Sequence, residues 1–113
     1  MMTVVSALQP LKHYIWGDQC DGWNLVDQPE LSVKQEHMPP HTAETEHYHR
    51  KARQFFFILQ GTAVFETAEG RIEVAANQGL EIAPGLKHRI KNESETELVF
   101  ILCSQPSTTN DRI

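Results

Sequence analysis

Cysteine is scarce in this chain: Cys20 and Cys103 are the only two, and they stand far apart. They form no disulfide framework, and two such thiols are expected as small buried hydrophobes in a reducing compartment. Long apolar runs are also missing. The opening stretch MMTVVSALQPLKHYIW has no basic flank, and Gln9, Pro10 and Lys12 break its apolar residues, which argues against a signal peptide or a membrane span. Cytoplasmic localisation is the expectation. Basic charge is scarce as well: 10 Lys and Arg are scattered among 15 Asp and Glu, for a net charge of -5. Proteins that track nucleic-acid phosphates concentrate positive charge on one face, so a small-molecule partner is expected instead. A chain of 113 residues makes one domain, able to bury roughly two thirds of its unfolded surface.

A sustained helical period is absent too. In its place come short extended segments, among them GWNLVD, LSVKQEHM, TEHYH, QFFFILQ, TAVFETA, RIEVA and ELVFILCS. Turn residues punctuate them at Gln28-Pro29, Met38 to His41, Asn77 to Gly79 and Pro84-Gly85. This pattern predicts an all-β sandwich or barrel. Ala68 to Arg71 reads as a two-residue hairpin, with Gly70 supplying a positive φ. The two ends are mixed or polar and are expected to lie over the outside of the barrel.

The run Gln54 to Leu59 is apolar on both faces: Phe56 and Ile58 lie on one side with Gln54, and Phe55, Phe57 and Leu59 on the other. A barrel strand has one inside, so the second face needs cover. A homodimer supplies it. The alternative is cover by the N-terminal segment with Tyr14, Ile15 and Trp16, and both hold if that segment crosses to a partner.

The chemistry concentrates in HYHRKARQ and PGLKHRIKN. His47 and His49 point the same way on extended backbone and can grip one metal ion. His88 follows a Pro-Gly turn, from which a strand of the same barrel presents it to the same point. His13, His37 and His41 have no such company. Read together, His47, His49, Gln54 and Gly61, then Pro84, Gly85, His88 and Asn92, resemble the two motifs of the small cupins. The likeness spans about residues 31 to 104 and departs in three places. His41 stands at the opening glycine, Gln54 at the glutamate, and the second motif is one residue shorter between proline and histidine.

The resemblance implies a double-stranded β-helix, or jelly roll, of two antiparallel sheets forming a single cupin domain over residues 1 to 113. It also implies a dimer, and a divalent transition metal (Fe, Mn, Ni or Zn) held by His47, His49, His88 and Gln54. A glutamine oxygen is a neutral ligand, so the site would keep a charge of about +2 rather than about +1 and favour an anionic ligand. Otherwise Gln54 only hydrogen-bonds a histidine or a water, or the site has lost its metal. Phe56 and Ile58 are the expected pocket walls. Glu36 is the candidate acid or base, although alternation turns either Glu36 and Met38 or Gln35 and His37 inward. Trp16 and Trp23 are candidates for the pocket mouth, Asn92 for a turn, and Arg53 and Arg89 for solvent. Two functions from different classes follow: a metal-dependent dioxygenase, isomerase or lyase acting on a small polar or anionic molecule, or a non-catalytic module binding a sugar or carboxylate.

Overall fold

The computed structural model describes residues 2 to 113 and has no helix among them, so none long and apolar enough to cross a membrane. Strands β1 (Lys12–Trp16), β2 (Cys20–Gln28), β3 (Leu31–Met38), β5 (Arg53–Gln60), β8 (Gly79–Ile82) and β10 (Leu98–Gln105) form one antiparallel sheet, in the order β1-β2-β3-β10-β5-β8. Strands β4 (Thr42–Ala43), β6 (Thr62–Thr67), β7 (Gly70–Ala75) and β9 (His88–Asn92) form the second, in the order β4-β9-β6-β7. This is the two-sheet β-helix expected from the turn-punctuated strands.

Period-two burial builds the core between the sheets. Phe56 and Ile58 of β5, Phe65 of β6, Ile90 of β9 and Phe100 of β10 all point inward and are buried. The Phe56 ring packs edge-on against Phe65 at 5.0 Å and lies 5.7 Å from Phe100. On β3 the inward set is Ser32, Glu36 and Met38, which resolves the alternative left open by the sequence. Gln35 and His37 face the other way, where His37 packs against Trp23 at 4.5 Å. Asn92 is a structural residue: its side-chain amide donates to the carbonyls of Met38, Pro39 and Thr96 and accepts from Ser94. Cys20 lies in the core and Cys103 is half-buried, both free.

Three details differ from the sequence expectations. The β6–β7 hairpin pairs Thr67 with Gly70, so the loop is Ala68-Glu69 and sits one residue earlier than expected. Thr67 explains the shift, because its hydroxyl accepts the Glu69 N–H and closes the turn, while Gly70 carries a φ of 124° as the first residue of β7. The ends of the chain do not simply lie outside the barrel. Strand β1 extends the larger sheet and sends Tyr14 and Trp16 to the barrel cavity, and residues 106 to 113 fold back onto the histidine loop. Nor does the N-terminal segment cover β5, since β1 and β5 are separated by β2, β3 and β10. Phe55 and Leu59 are therefore 43% and 44% exposed.

Candidate metal centre

His47 and His49 lie on extended backbone outside the regular strands. A bridge to β9 fixes the first: His47 N–H donates to the His88 carbonyl at 3.0 Å, and His88 N–H returns a bond of 2.8 Å. Alternation then buries His47 and His49 and leaves Tyr48 between them half-buried. The Pro84-Gly85 turn delivers His88. Gly85 has a φ of 84°, as the second central residue of such a turn requires, and its N–H donates to the His49 carbonyl at 2.7 Å. The turn thus ties the second motif to the first.

One ring nitrogen from each of His47, His49 and His88 lies within 4.8 Å of the others, and all three side chains are buried. Each ring is oriented by a backbone carbonyl. Nδ1 of His47 meets Thr45 O at 2.8 Å, Nδ1 of His88 meets Leu86 O at 2.9 Å, and Nδ1 of His49 meets Asp111 O at 2.8 Å. A carbonyl only accepts, so each Nδ1 carries the proton and each Nε2 keeps its lone pair. Burial holds the three imidazoles neutral, lowering His47 to about 4 and lowering His49 and His88 as well. Nε2 of His49, Nε2 of His88 and Oε1 of Gln54 are buried without a hydrogen-bond partner. Gln54 is oriented by Ser104, its cross-strand neighbour, whose hydroxyl accepts the amide N–H at 3.2 Å. Neutral nitrogen donors with free lone pairs and an unpartnered amide oxygen fit a divalent transition metal, so the group could hold one.

The site opens onto a cavity of about 190 Å³, which the fully buried His88 does not itself line. His47, His49, Gln54 and Phe56 line it, and so does Trp16. Ile58 does not line it: it is wholly buried in the core further along β5. Trp23 is on the outer face of the larger sheet, stacked on His13 at 5.3 Å. Arg53 and Arg89 both pair with surface glutamates, Glu81 and Glu66.

Glu36 lines the same cavity and accepts the Tyr14 hydroxyl at 2.5 Å. Burial raises its pKa against the opposing pull of Tyr14 and Lys34. Burial and the Glu36 charge push the Tyr14 phenol up. Sequence reasoning missed Glu44, Tyr14 and Arg112. Burial raises Glu44 to about 8 although it accepts the Ile90 N–H. Arg112 reaches the cavity from the closing segment, with Nη2 3.4 Å from Thr45 O. None of the three carries a sequence signal, because Tyr14 of β1, Glu44 just after β4 and Arg112 of the closing segment are brought together only by folding.

Two antiparallel sheets wound face to face around a histidine-walled cavity define the double-stranded β-helix class. The family model of the cupin domain matches residues 34–104, and the chain belongs to that family. Solved structures agree on the fold. KdgF from Halomonas sp. shares 13% identity, with 88% of this chain and 91% of that chain covered and a TM-score of 0.78. A predicted oxalate decarboxylase from Thermotoga maritima shares 17%, with 93% and 100% covered and a TM-score of 0.82. The polyketide cyclase RemF from Streptomyces resistomycificus shares 15%, with 95% and 81% covered and a TM-score of 0.83. A search of curated protein sequences finds no match.

Proposed function

We propose that the whole chain works as one cytoplasmic cupin domain that binds a divalent transition metal through His47, His49, His88 and Gln54 and catalyses an isomerase or lyase reaction on a small anionic organic molecule. The observation that carries this reading is that His49 and Gln54, whose Nε2 and Oε1 are buried without a partner, line the same cavity as the Glu36 carboxyl. The metal would supply a charge of about +2, undiminished by any carboxylate ligand, to polarise a carbonyl. Gln54, held by Ser104, would offer its unpartnered amide oxygen to that metal. Burial favours the protonated form of the Glu36 carboxyl, and Tyr14 fixes that carboxyl in place by donating to Oε2. Glu36 is the group that gives a proton to the substrate and takes one back. Phe56 and Leu102 supply the apolar lining that limits water. The cavity volume of about 190 Å³ suits a small acid, since pockets for drug-sized ligands begin near roughly 300 Å³.

The larger sheet is proposed as the homodimer face, because its outer side sets Phe55 and Leu59 beside Ile101 and leaves them without cover from this chain.

Protein purified without chelator or affinity tag should carry about one metal ion per chain and lose it in His49→Ala. Incubated in deuterium oxide with a panel of small keto and hydroxy acids, the wild type should exchange a proton next to the carbonyl of at least one, and Glu36→Gln should not. Binding without exchange across the panel would favour the sugar- or carboxylate-binding reading. Oxygen consumption with one of these acids would favour the dioxygenase. Failure to bind any divalent metal would end the proposal.

A further inference from the structure

The three imidazoles are not oriented alike. His47 and His88 each take their carbonyl from a residue two positions earlier, Thr45 and Leu86, so the local chain sets them wherever the loop goes. His49 takes its carbonyl from Asp111, which is 62 residues away. The segment that brings Asp111 there is held at several points. Ser107 N–H donates to Pro29 O at 2.9 Å, and Asp111 N–H donates to Thr108 O at 2.9 Å. Ile113 and Tyr48 exchange two backbone bonds, of 3.2 and 2.9 Å. The Asp111 carboxylate then accepts three consecutive amides of the loop after His49: Arg50 at 2.9 Å and Lys51 and Ala52 at 3.0 Å. Those amides have no sheet partner, since β5 begins only at Arg53. One residue therefore caps the loop with its side chain and sets the imidazole with its main chain.

We infer that residues 106 to 113 are a working part of the metal centre, with Asp111 as the positioning residue that selects the metal-competent tautomer of His49. The inference rests on the metal reading of the histidine trio. A neutral imidazole has two tautomers, and a carbonyl pairs only with Nδ1–H, so the docked segment turns the Nε2 lone pair toward His47 and His88. Released, His49 would sample both tautomers and several ring orientations, whereas His47 and His88 would keep theirs. The site would then fall from three prepared ligands to two.

The test compares wild type, Asp111→Ala, Asp111→Asn and a chain ending at Asn110 in two measurements. The first is the tautomer of each metal-free histidine from its ring nitrogen-15 shifts. The second is zinc affinity by competition with a chelating dye. In the wild type His49 should sit in one tautomer with Nδ1 protonated. Asp111→Ala and the shortened chain should mix the tautomers of His49 alone and bind zinc about 10- to 100-fold more weakly, as loss of outer partners of metal ligands does. Asp111→Asn retains one amide oxygen for the loop and should fall between them; it is the variant to read if the shortened chain does not fold. An unmixed His49 in Asp111→Ala, or unchanged zinc affinity despite mixing, would overturn the inference. If the wild type binds no zinc, the metal reading fails, and the tautomer comparison still decides whether Asp111 positions His49.

Discussion

At the scale of single residues, charge decides what the site holds. Gln54→Glu would place a negative oxygen beside three neutral imidazoles. Ser104 can adapt by turning its hydroxyl to donate, so the exchange costs little packing. Metal affinity should rise and affinity for small carboxylates fall, read by competitive metal titration with and without the acid. His49→Ala should lower both. Glu44 gives a second residue-scale outcome. In metal-free folded protein it keeps its proton up to about 8, while an unfolded chain loses it near about 4.3. The folded state binds more protons between those values, so stability from this group falls as pH rises through them. Glu44→Gln has no proton to lose and still accepts from Ile90, so its melting temperature should gain on wild type between about pH 5 and about pH 8. His47, lowered to about 4, acts in the opposite sense, costing stability as pH falls from about 6.5. Both proteins share that slope, and their difference isolates Glu44.

At the scale of elements, strand register carries side chains to the cavity. Tyr14, Gly22 and Glu36 are in-register neighbours across β1, β2 and β3. The Tyr14 ring reaches Glu36 by crossing directly over Gly22, where an added Cβ would stand 2.2 Å from the ring. Gly22→Ala should therefore push the ring away and break the bond to Glu36. The expected cost is about 1 to 3 kcal/mol, typical of overpacking, seen as a lower melting temperature and an altered near-ultraviolet tyrosine signal. A variant with the wild-type signal would show that Tyr14 has another route. The alternation LSVKQEHM could not choose its inward face from sequence, because polar and apolar residues occupy both sides. Packing chose Glu36 and Met38, since Met38 closes the core while His37 finds Trp23 and Gln35 outside.

At the scale of the whole molecule, the uncovered outer side of the larger sheet is the main feature. Phe55, the half-buried Phe57 and Leu59 share this face, with Phe57 in register with Ile101 and Phe55 with Cys103. A flat apolar face of this kind is a poor surface to leave in water. Sedimentation at micromolar concentration should give a dimer for the wild type and a monomer or aggregate for Phe57→Asp. A monomeric wild type would remove the proposed interface.

The fold was legible in the sequence because short runs of β-branched and aromatic residues between Gly and Pro turns leave few architectures, and the motif spacings narrowed these to one. The convergence of His47, His49 and His88 was legible for the same reason: alternation and a Pro-Gly turn are local rules that survive folding. Gln54 could be named, but its free oxygen depends on Ser104 in a strand fifty residues away. Ile58 was misplaced because alternation says which face a side chain takes, not how far along the barrel the cavity extends. Tyr14, Glu44, Asp111 and Arg112 became part of the site only through long-range pairing, which joins residues by register and tail docking rather than by any spacing along the chain.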